Sequence, residues 1–218
     1  MDYENEGWYY YKNAIEDKKA SNNWNFFPKF TYQVFQELMS DDFVSVVEDV
    51  LQEKIYVDHG LHGGGWHIHG TGGNLNPHLD YSIHPKMNLL RKLNIIIYLS
   101  SELQDEHGGH LGLWSHNATA NSPGELVKEV QPKFNRAILF DTTQNSWHGM
   151  SRGLTQPIGI YRKSLAIYYL VQPKVGVDPR ERALFAPRDE QSEDKEILEL
   201  IKVRSDSKNF AKGYRGLK

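Results

Sequence analysis

From Arg91 onward the sequence breaks into short apolar segments, each closed off by turn-forming residues: RKLNIIIYLS, GGHLGLW, ELVKEVQP, RAILFD and YRKSLAIYYLV. Val, Ile and Tyr suit a pleated, half-buried surface, and Gly, Pro, Asn and Asp interrupt it where the chain must turn. Helical stretches of matching length do not alternate with these segments, which argues against a parallel strand–helix fold. The spacing therefore predicts a mainly β protein with flanking helices, built as an antiparallel sandwich or jelly roll. The chain's 218 residues are enough for one such domain with a real core, and short for two.

The rest of the chain is arranged around that core. Residues 1–30 are rich in Trp, Tyr and Phe without a clean period and read as an irregular segment packed on the domain. From Tyr32 to Glu53 the period is helical, with Phe43, Val47, Val50 and Leu51 on one face and Ser40 placed to cap the N-terminus. The run HGLHGGGWHIHGTGG, residues 59–73, then packs seven glycines and four histidines into fifteen positions. It lacks the Gly-Lys-Ser/Thr ending of a phosphate loop, so close backbone approach or a mobile lid is the better reading. Residues 172–191 read as an ordered surface arm, and EDKEILELIKVR after Ser192 as a short helix with an Ile197, Leu198 and Ile201 stripe. The expected organisation is a single domain over 1–218: a helical and irregular part over 1–58, a core over about 63–172, and an arm with a short helix over 173–218.

Composition narrows the chemistry. There are no cysteines, which removes disulfides, thiolate metal sites and cysteine nucleophiles together. A net charge of -3 offers no basic footprint for nucleic acid. The N-terminus lacks a signal-peptide pattern, and the longest apolar runs, Leu93 to Leu99 and Leu165 to Val171, are too short to span a bilayer. A cytoplasmic protein without nucleic-acid or membrane partners is the expectation, and any metal must be held by carboxylates and the 10 histidines.

His78-Leu79-Asp80 carries the first chemical signal. In an extended chain, residues i and i+2 face the same way, so this imidazole and carboxylate can meet one ion. Alone, the pair reads better as a turn cap. His148, in NSWHGM after the strand-like RAILFD, is the candidate third ligand. Two histidines and one carboxylate on one face of an octahedron leave three positions open, the arrangement associated with iron(II) oxygenases. Arg162 follows His148 by fourteen residues and shares a strand face with Ser164 and Ala166. A guanidinium turned toward an apolar interior requires an anion, and a dicarboxylate would supply one. Tyr98 closes LNIIIYL in the same parity as Asn94 and Ile96, and its hydroxyl could reach the same carboxylate. His67 and His69 could line the site, whereas His59, His62, His107, His110 and His116 read as loop or surface residues. Trp66, Trp114 and Trp147 read as core.

Together these residues carry a family resemblance. GGGWHIHGTGGNLNPHLDY, LRKLNIIIYLS, HGGHLGLW, FNRAILFDTTQNSWHGM and YRKSLAIYYL, spanning about Gly63 to Leu170, resemble in order and spacing the 2-oxoglutarate/Fe(II) oxygenases of the prolyl 4-hydroxylase-like group. The resemblance implies a double-stranded β-helix (cupin-like jelly roll). It implies Fe(II) on His78, Asp80 and His148, and 2-oxoglutarate held by Arg162, Ser164 and Tyr98. His69 falls near a position where many members place a cosubstrate-lining Tyr, a departure from the pattern. O2 is the second co-substrate, and the presence of Asp80 favours hydroxylation over halogenation, with release of succinate and CO2. A cupin-type metal hydrolase or isomerase, and a non-catalytic metal-holding binding module, are the rival readings; the first has no need for Arg162 and Ser164, and the presence of every expected ligand weakens the second. A small-molecule substrate is slightly favoured over a peptidyl side chain, and neither the substrate nor the oligomeric state is legible.

Overall fold

The structure, a computed structural model, describes residues 7–208. In chain order the strands are β1 (Tyr9–Lys12), β2 (Glu16–Ser21), β3 (Tyr56–Val57), β4 (Gly65–His69), β5 (Asn74–Leu75), β6 (His78–Leu79), β7 (Leu90–Tyr98), β8 (Leu111–Asn117), β9 (Ser122–Val130), β10 (Ala137–Asp141), β11 (His148–Met150), β12 (Arg162–Val171) and β13 (Leu184–Phe185). Three α-helices accompany them: α1 (Lys29–Leu38), α2 (Asp41–Leu51) and α3 (Lys195–Ser205). Eight strands form a major sheet with the path β1-β2-β4-β12-β7-β10, to which β3 and β5 attach. A minor sheet has the order β13-β6-β11-β8-β9. Every strand pair is antiparallel. Two antiparallel sheets with flanking helices agree with the sandwich or jelly roll that the segment spacing predicts and with the double-stranded β-helix that the resemblance implies.

Strand β12 explains how the layers stack. Its odd positions Leu165, Ile167, Tyr169 and Val171 enter the main core with Phe35, Leu38 and Val47 of α1 and α2. Its even positions Arg162, Ser164, Ala166 and Tyr168 line the cavity on the sheet's other face. With both faces covered, nine of its ten residues are buried, which is why the segment reads as an almost continuous apolar run. Burial of each Leu or Ile here contributes about 1.5–3 kcal/mol. The Tyr169 hydroxyl adds a tie to α1 by donating to the Leu38 carbonyl at 2.7 Å.

Three expectations change. The N-terminal segment is not irregular: β1 and β2 form a hairpin, its turn held by Asn13 Oδ1 accepting from the amides of Ile15 and Glu16. Pairing of β2 with β4 makes the hairpin part of the major sheet. The helical stretch is two helices, broken at Met39 because Ser40 leaves helical geometry to cap α2, its hydroxyl accepting from the Phe43 amide at 3.2 Å. Val47 is buried as expected, but Val50 is 73% exposed, on a margin of α2 that the sheet does not cover. The arm is more than a surface element, since β13 within it pairs with β6 and adds a strand to the minor sheet. At the C-terminal helix the cap is Asp194, and Ile201 is buried while Leu198 is 39% exposed. The first six and last ten residues, included in the expected terminal parts, lie outside the described residues.

The glycine-rich stretch works by close approach. Gly65 has φ +87°, and a Cβ there would stand 2.1 Å from the Ser21 carbonyl oxygen of the neighbouring strand. Gly72 has a comparable φ of +76° but open space around it. The two therefore separate backbone conformation from packing. Gly72→Ala is expected to cost about 1–2 kcal/mol in urea unfolding, the conformational term alone. Gly65→Ala should cost several-fold more or abolish the cooperative transition. Equal losses in the two variants would mean that β2 and β4 do not pack as described.

Candidate active site

The minor sheet brings the two ligand-type histidines together. His78 and His148 are direct cross-strand partners in the β6–β11 pair, and their ring centroids lie 4.3 Å apart. Each ring is oriented by its own chain: Nδ1 of His78 lies 2.9 Å from the Asn76 carbonyl, and Nδ1 of His148 lies 2.8 Å from the Ser146 carbonyl. A carbonyl only accepts, so each Nδ1 carries the proton and each Nε2 presents a lone pair to the centre. Phe185 of β13 stacks on His78 at 5.1 Å and Phe140 of β10 packs edge-on against His148, so both rings are held.

Asp80, two residues beyond His78, faces both lone pairs. Its Oδ1 is 3.7 Å from Nε2 of His78 and its Oδ2 is 3.6 Å from Nε2 of His148. Burial pushes the His78 imidazole down to about 3, with the neighbouring His148 adding to the effect, so it is neutral at physiological pH. Burial alone would raise the Asp80 carboxyl, but His148, Arg91 and His78 overcome it and hold the group below its usual range. Asp80 Oδ2 is buried without a hydrogen-bond partner, with Arg91 Nη1 standing 3.6 Å away. The three donor atoms lie within 4.8 Å of one another. Two inward-facing ring nitrogens and a carboxylate converge on one point, and this donor set could hold the iron that an N2O facial triad suits.

Arg162 occupies the far end of the same cavity, which has a volume of about 160 Å³. Its guanidinium is 5% exposed, donating through Nε to the Gly109 carbonyl at 2.8 Å and approaching the Tyr98 hydroxyl at 3.4 Å. Among the described residues no carboxylate forms an ion pair with it, and burial pulls its pKa below the ordinary arginine value. Ser164 lies across the β12–β7 pair from Tyr98, and both are buried. His69 is 1% exposed and faces Arg162 across the β4–β12 pair. Neither of its ring nitrogens has a hydrogen-bond partner, although the nearby Arg162 carbonyl favours a proton on the ring. The cavity thus has a cation-binding end and an anion-binding end. It is large enough for a small dicarboxylate and too small for a polypeptide.

The remaining sequence candidates are dispersed or join the surroundings. His67 lines the cavity with His69. His62 meets the Tyr81 hydroxyl, His110 approaches Asp105 at 2.9 Å, and His116 accepts from Trp147 Nε1 at 3.0 Å. Trp147 is 1% exposed, as the core reading expects. Several site residues escaped sequence reasoning. Tyr168 had a signal, since it shares the parity of Arg162 along β12. Arg91 had none: the β7–β12 register shifts between Tyr169 and Leu170, and that irregularity returns Arg91 to the cavity face out of step with Asn94, Ile96 and Tyr98. Glu16, Lys18 and Arg204 complete the cavity mouth from the two terminal parts. There Glu16 accepts from Arg204 at 2.8 Å and pairs with Lys18 at 3.1 Å.

The neutral histidines give the metal-free protein a pH signature. Burial depresses His78 to about 3 and His62 to about 4, and His69 also lies well below its usual value. Unfolded, these groups titrate near 6.5, so below that pH the unfolded chain binds more protons than the folded one. Their contribution is fully present above about 6.5 and is lost as pH falls toward 4. Urea unfolding of chelator-treated protein at pH 7.5, 6 and 5 is expected to show a progressive loss, up to about 1.4 kcal/mol per pH unit for each fully buried histidine and less for half-buried His62, which solvent screens. A flat profile across that range would mean that these rings are not buried neutral.

Comparison with known proteins agrees with this geometry. Residues 64–170 match the family model described as the 2OG-Fe(II) oxygenase superfamily. A 106-residue stretch is 30% identical to the prolyl 3-hydroxylase OGFOD1 of Xenopus laevis, taking in 46% of this chain and 20% of that protein, so the chain spans about a fifth of the length of this relative. A prolyl-4-hydroxylase from Pseudomonas putida shares the fold, with a TM-score of 0.51 at 16% identity over 74% of this chain and 75% of that one. Among the described residues no helix is long and apolar enough to cross a membrane. The matched segment begins at Gly64 and ends at Leu170, so it holds the triad, Arg162, Ser164 and Tyr98 together, and this segment of the chain is of the 2OG-Fe(II) oxygenase superfamily.

Proposed function

We propose that this chain is a 2-oxoglutarate- and Fe(II)-dependent dioxygenase that hydroxylates an unactivated C–H bond of a peptidyl side chain, proline foremost, and that residues 1–218 act as one oxygenase domain. The observation that carries the reading is the Arg162 guanidinium, buried without a carboxylate partner in the cavity that also holds a histidine–carboxylate triad. A zinc hydrolase or a passive binding module has no use for such a cation, whereas a bound dicarboxylate satisfies it.

His78, Asp80 and His148 would hold the iron. When bound, iron(II) supplies the open coordination positions at which 2-oxoglutarate and O2 react, coupling release of succinate and CO2 to oxygen insertion. The chain's own residues do the rest. Arg162 grips the distal carboxylate of 2-oxoglutarate, with the Tyr98 and Ser164 hydroxyls on the same group. The carbonyls of Asn76 and Ser146 keep protons on the outer nitrogens of the histidines, so the inner lone pairs stay available. Phe185, Phe140 and Met150 keep bulk water from the centre.

The relatives' names lean against the initial preference for a small-molecule substrate, since both are prolyl hydroxylases. The cavity supports the same change. It shares the walls Glu16, Lys18, His67 and Tyr81 with an outer cleft of about 880 Å³, which is more room than a free amino acid needs. Tyr9 and Tyr11 of β1, with Pro85 and Pro179, give that cleft the aromatic and flat surfaces on which an extended, proline-bearing chain can lie.

Two measurements test this. Anaerobic titration of Fe(II) and 2-oxoglutarate is expected to give the visible charge-transfer band of the chelate. The band should vanish in His148→Ala and require on the order of 100-fold more 2-oxoglutarate in Arg162→Ala, as loss of a buried charged partner implies. A folded, metal-loaded wild type without the band would sink the oxygenase reading. For the substrate, succinate release should be stimulated by proline-containing peptides and not by free proline. Equal stimulation by the free amino acid would return the choice to a small molecule.

A further inference from the structure

Arg91 is 2% exposed and sits where a charged group is expensive to bury. Its guanidinium carbon lies 3.6 Å from the centroid of the Tyr81 ring and 3.6 Å from that of Tyr168, so the planar cation is sandwiched between two aromatic faces. One edge donates to the His62 carbonyl and the Tyr81 hydroxyl. The other edge brings Nη1 within 3.6 Å of Asp80 Oδ2. The Tyr168 hydroxyl also favours the ionised carboxylate. The glycine-rich stretch makes room for this arrangement: Gly63 has φ +77°, and a Cβ there would stand 2.5 Å from Arg91 Nη2.

Resting on the dioxygenase reading, we propose that Arg91, clamped between Tyr81 and Tyr168, is a positioning residue that fixes the rotation of the Asp80 carboxylate. His78 and His148 are each locked through Nδ1 by a backbone carbonyl. Among the described residues no backbone group locks the Asp80 carboxylate in this way; its neighbours are the two histidines, Arg91 and Tyr168. A freely turning carboxylate could offer a metal both oxygens at once and occupy a position that the co-substrates need. Arg91 Nη1 stands 3.6 Å from Oδ2, and its charge biases the carboxylate's rotation, so the plane of the group is set before metal arrives. Stacking supplies the rigidity, because a guanidinium held on both faces can move only within its own plane. The sandwich gives Arg91 partners on both faces, and Asp80 is its ion-pair partner, which separates its task from that of Arg162, whose charge has no carboxylate partner among the described residues.

The experiment uses the full chain loaded anaerobically with Co(II), whose visible spectrum reports coordination geometry, and with Fe(II) against a competing chelator. Three variants are compared: Arg91→Gln, Arg91→Lys and Tyr168→Phe. Arg91→Gln should bind Fe(II) 10- to 100-fold more weakly, the usual effect of losing a partner that orients a ligand. Its Co(II) spectrum should change on loading, while its 2-oxoglutarate affinity at saturating metal stays within about threefold. Arg91→Lys keeps the charge without the flat stack and should restore affinity only in part; it also serves if Arg91→Gln does not fold. Tyr168→Phe keeps the sandwich and should shift the spectrum less than Arg91→Gln. Wild-type metal affinity and an unchanged Co(II) spectrum in both Arg91 variants would overturn the proposal, and a raised KM for peptide alone would then make Arg91 a substrate contact. If wild type binds Co(II) at the triad but never 2-oxoglutarate, the oxygenase reading fails while the effect of Arg91 on the metal upholds the inference. If wild type binds neither, both fall.

Discussion

The pairing of β6 with β11 is the constraint from which the centre follows. These two short strands meet at a single register pair, His78 with His148, and that pair aims both imidazoles at one point. A slip of one residue would turn each ring to the opposite face of the sheet. Gly149 helps to prevent this, because a Cβ there would stand 2.6 Å from the Asn76 carbonyl oxygen, next to the strand that carries His78. The backbones can therefore approach closely enough for the histidines to share an ion. Such short strands would not hold their register alone. They are flanked by β8 on one side and β13 on the other, which spread the constraint over the minor sheet.

Across the cavity β12 supplies the opposite wall and divides its labour by parity. One face binds the helices and belongs to the main apolar core. The other carries Arg162, Ser164 and Tyr168, polar groups tolerated in the interior because the opposite face holds the strand in place. Pre-organisation of a charged pocket thus draws on apolar burial only one residue away in sequence. The same economy appears at Tyr98, which ends β7 beside Arg162 while Ile95, three residues earlier and on the other face, belongs to the main core.

Legibility in the sequence tracks how regular the backbone is. That the triad, Arg162, Ser164 and Tyr98 come together could be read because each sits on a strand or a short loop whose side-chain alternation holds, and because the matching segments keep their order. Arg91 could not, since the irregularity beside it breaks that alternation. Glu16 and Lys18 were hidden for another reason: β2 reads EDKKAS, a polar sequence with no apolar face, and it is a strand only because β4 and β1 lie on either side of it. The break between α1 and α2 was half visible, as Ser40 was recognised as a cap while the helix ending before it was not. Tertiary pairing decided these elements, and a single sequence does not display it.

The link between Glu16 and Arg204 joins residues 188 positions apart, and it closes the mouth of the cavity. During synthesis Glu16 leaves the ribosome long before Arg204, so the triad and the dicarboxylate end can assemble while the mouth is still open. Contacts this distant in sequence form late, because the intervening chain must first be ordered. The rim of the cavity is thus a long-range contact between two parts of the chain that share no strand pair among the described residues, and its integrity reports on the docking of both at once.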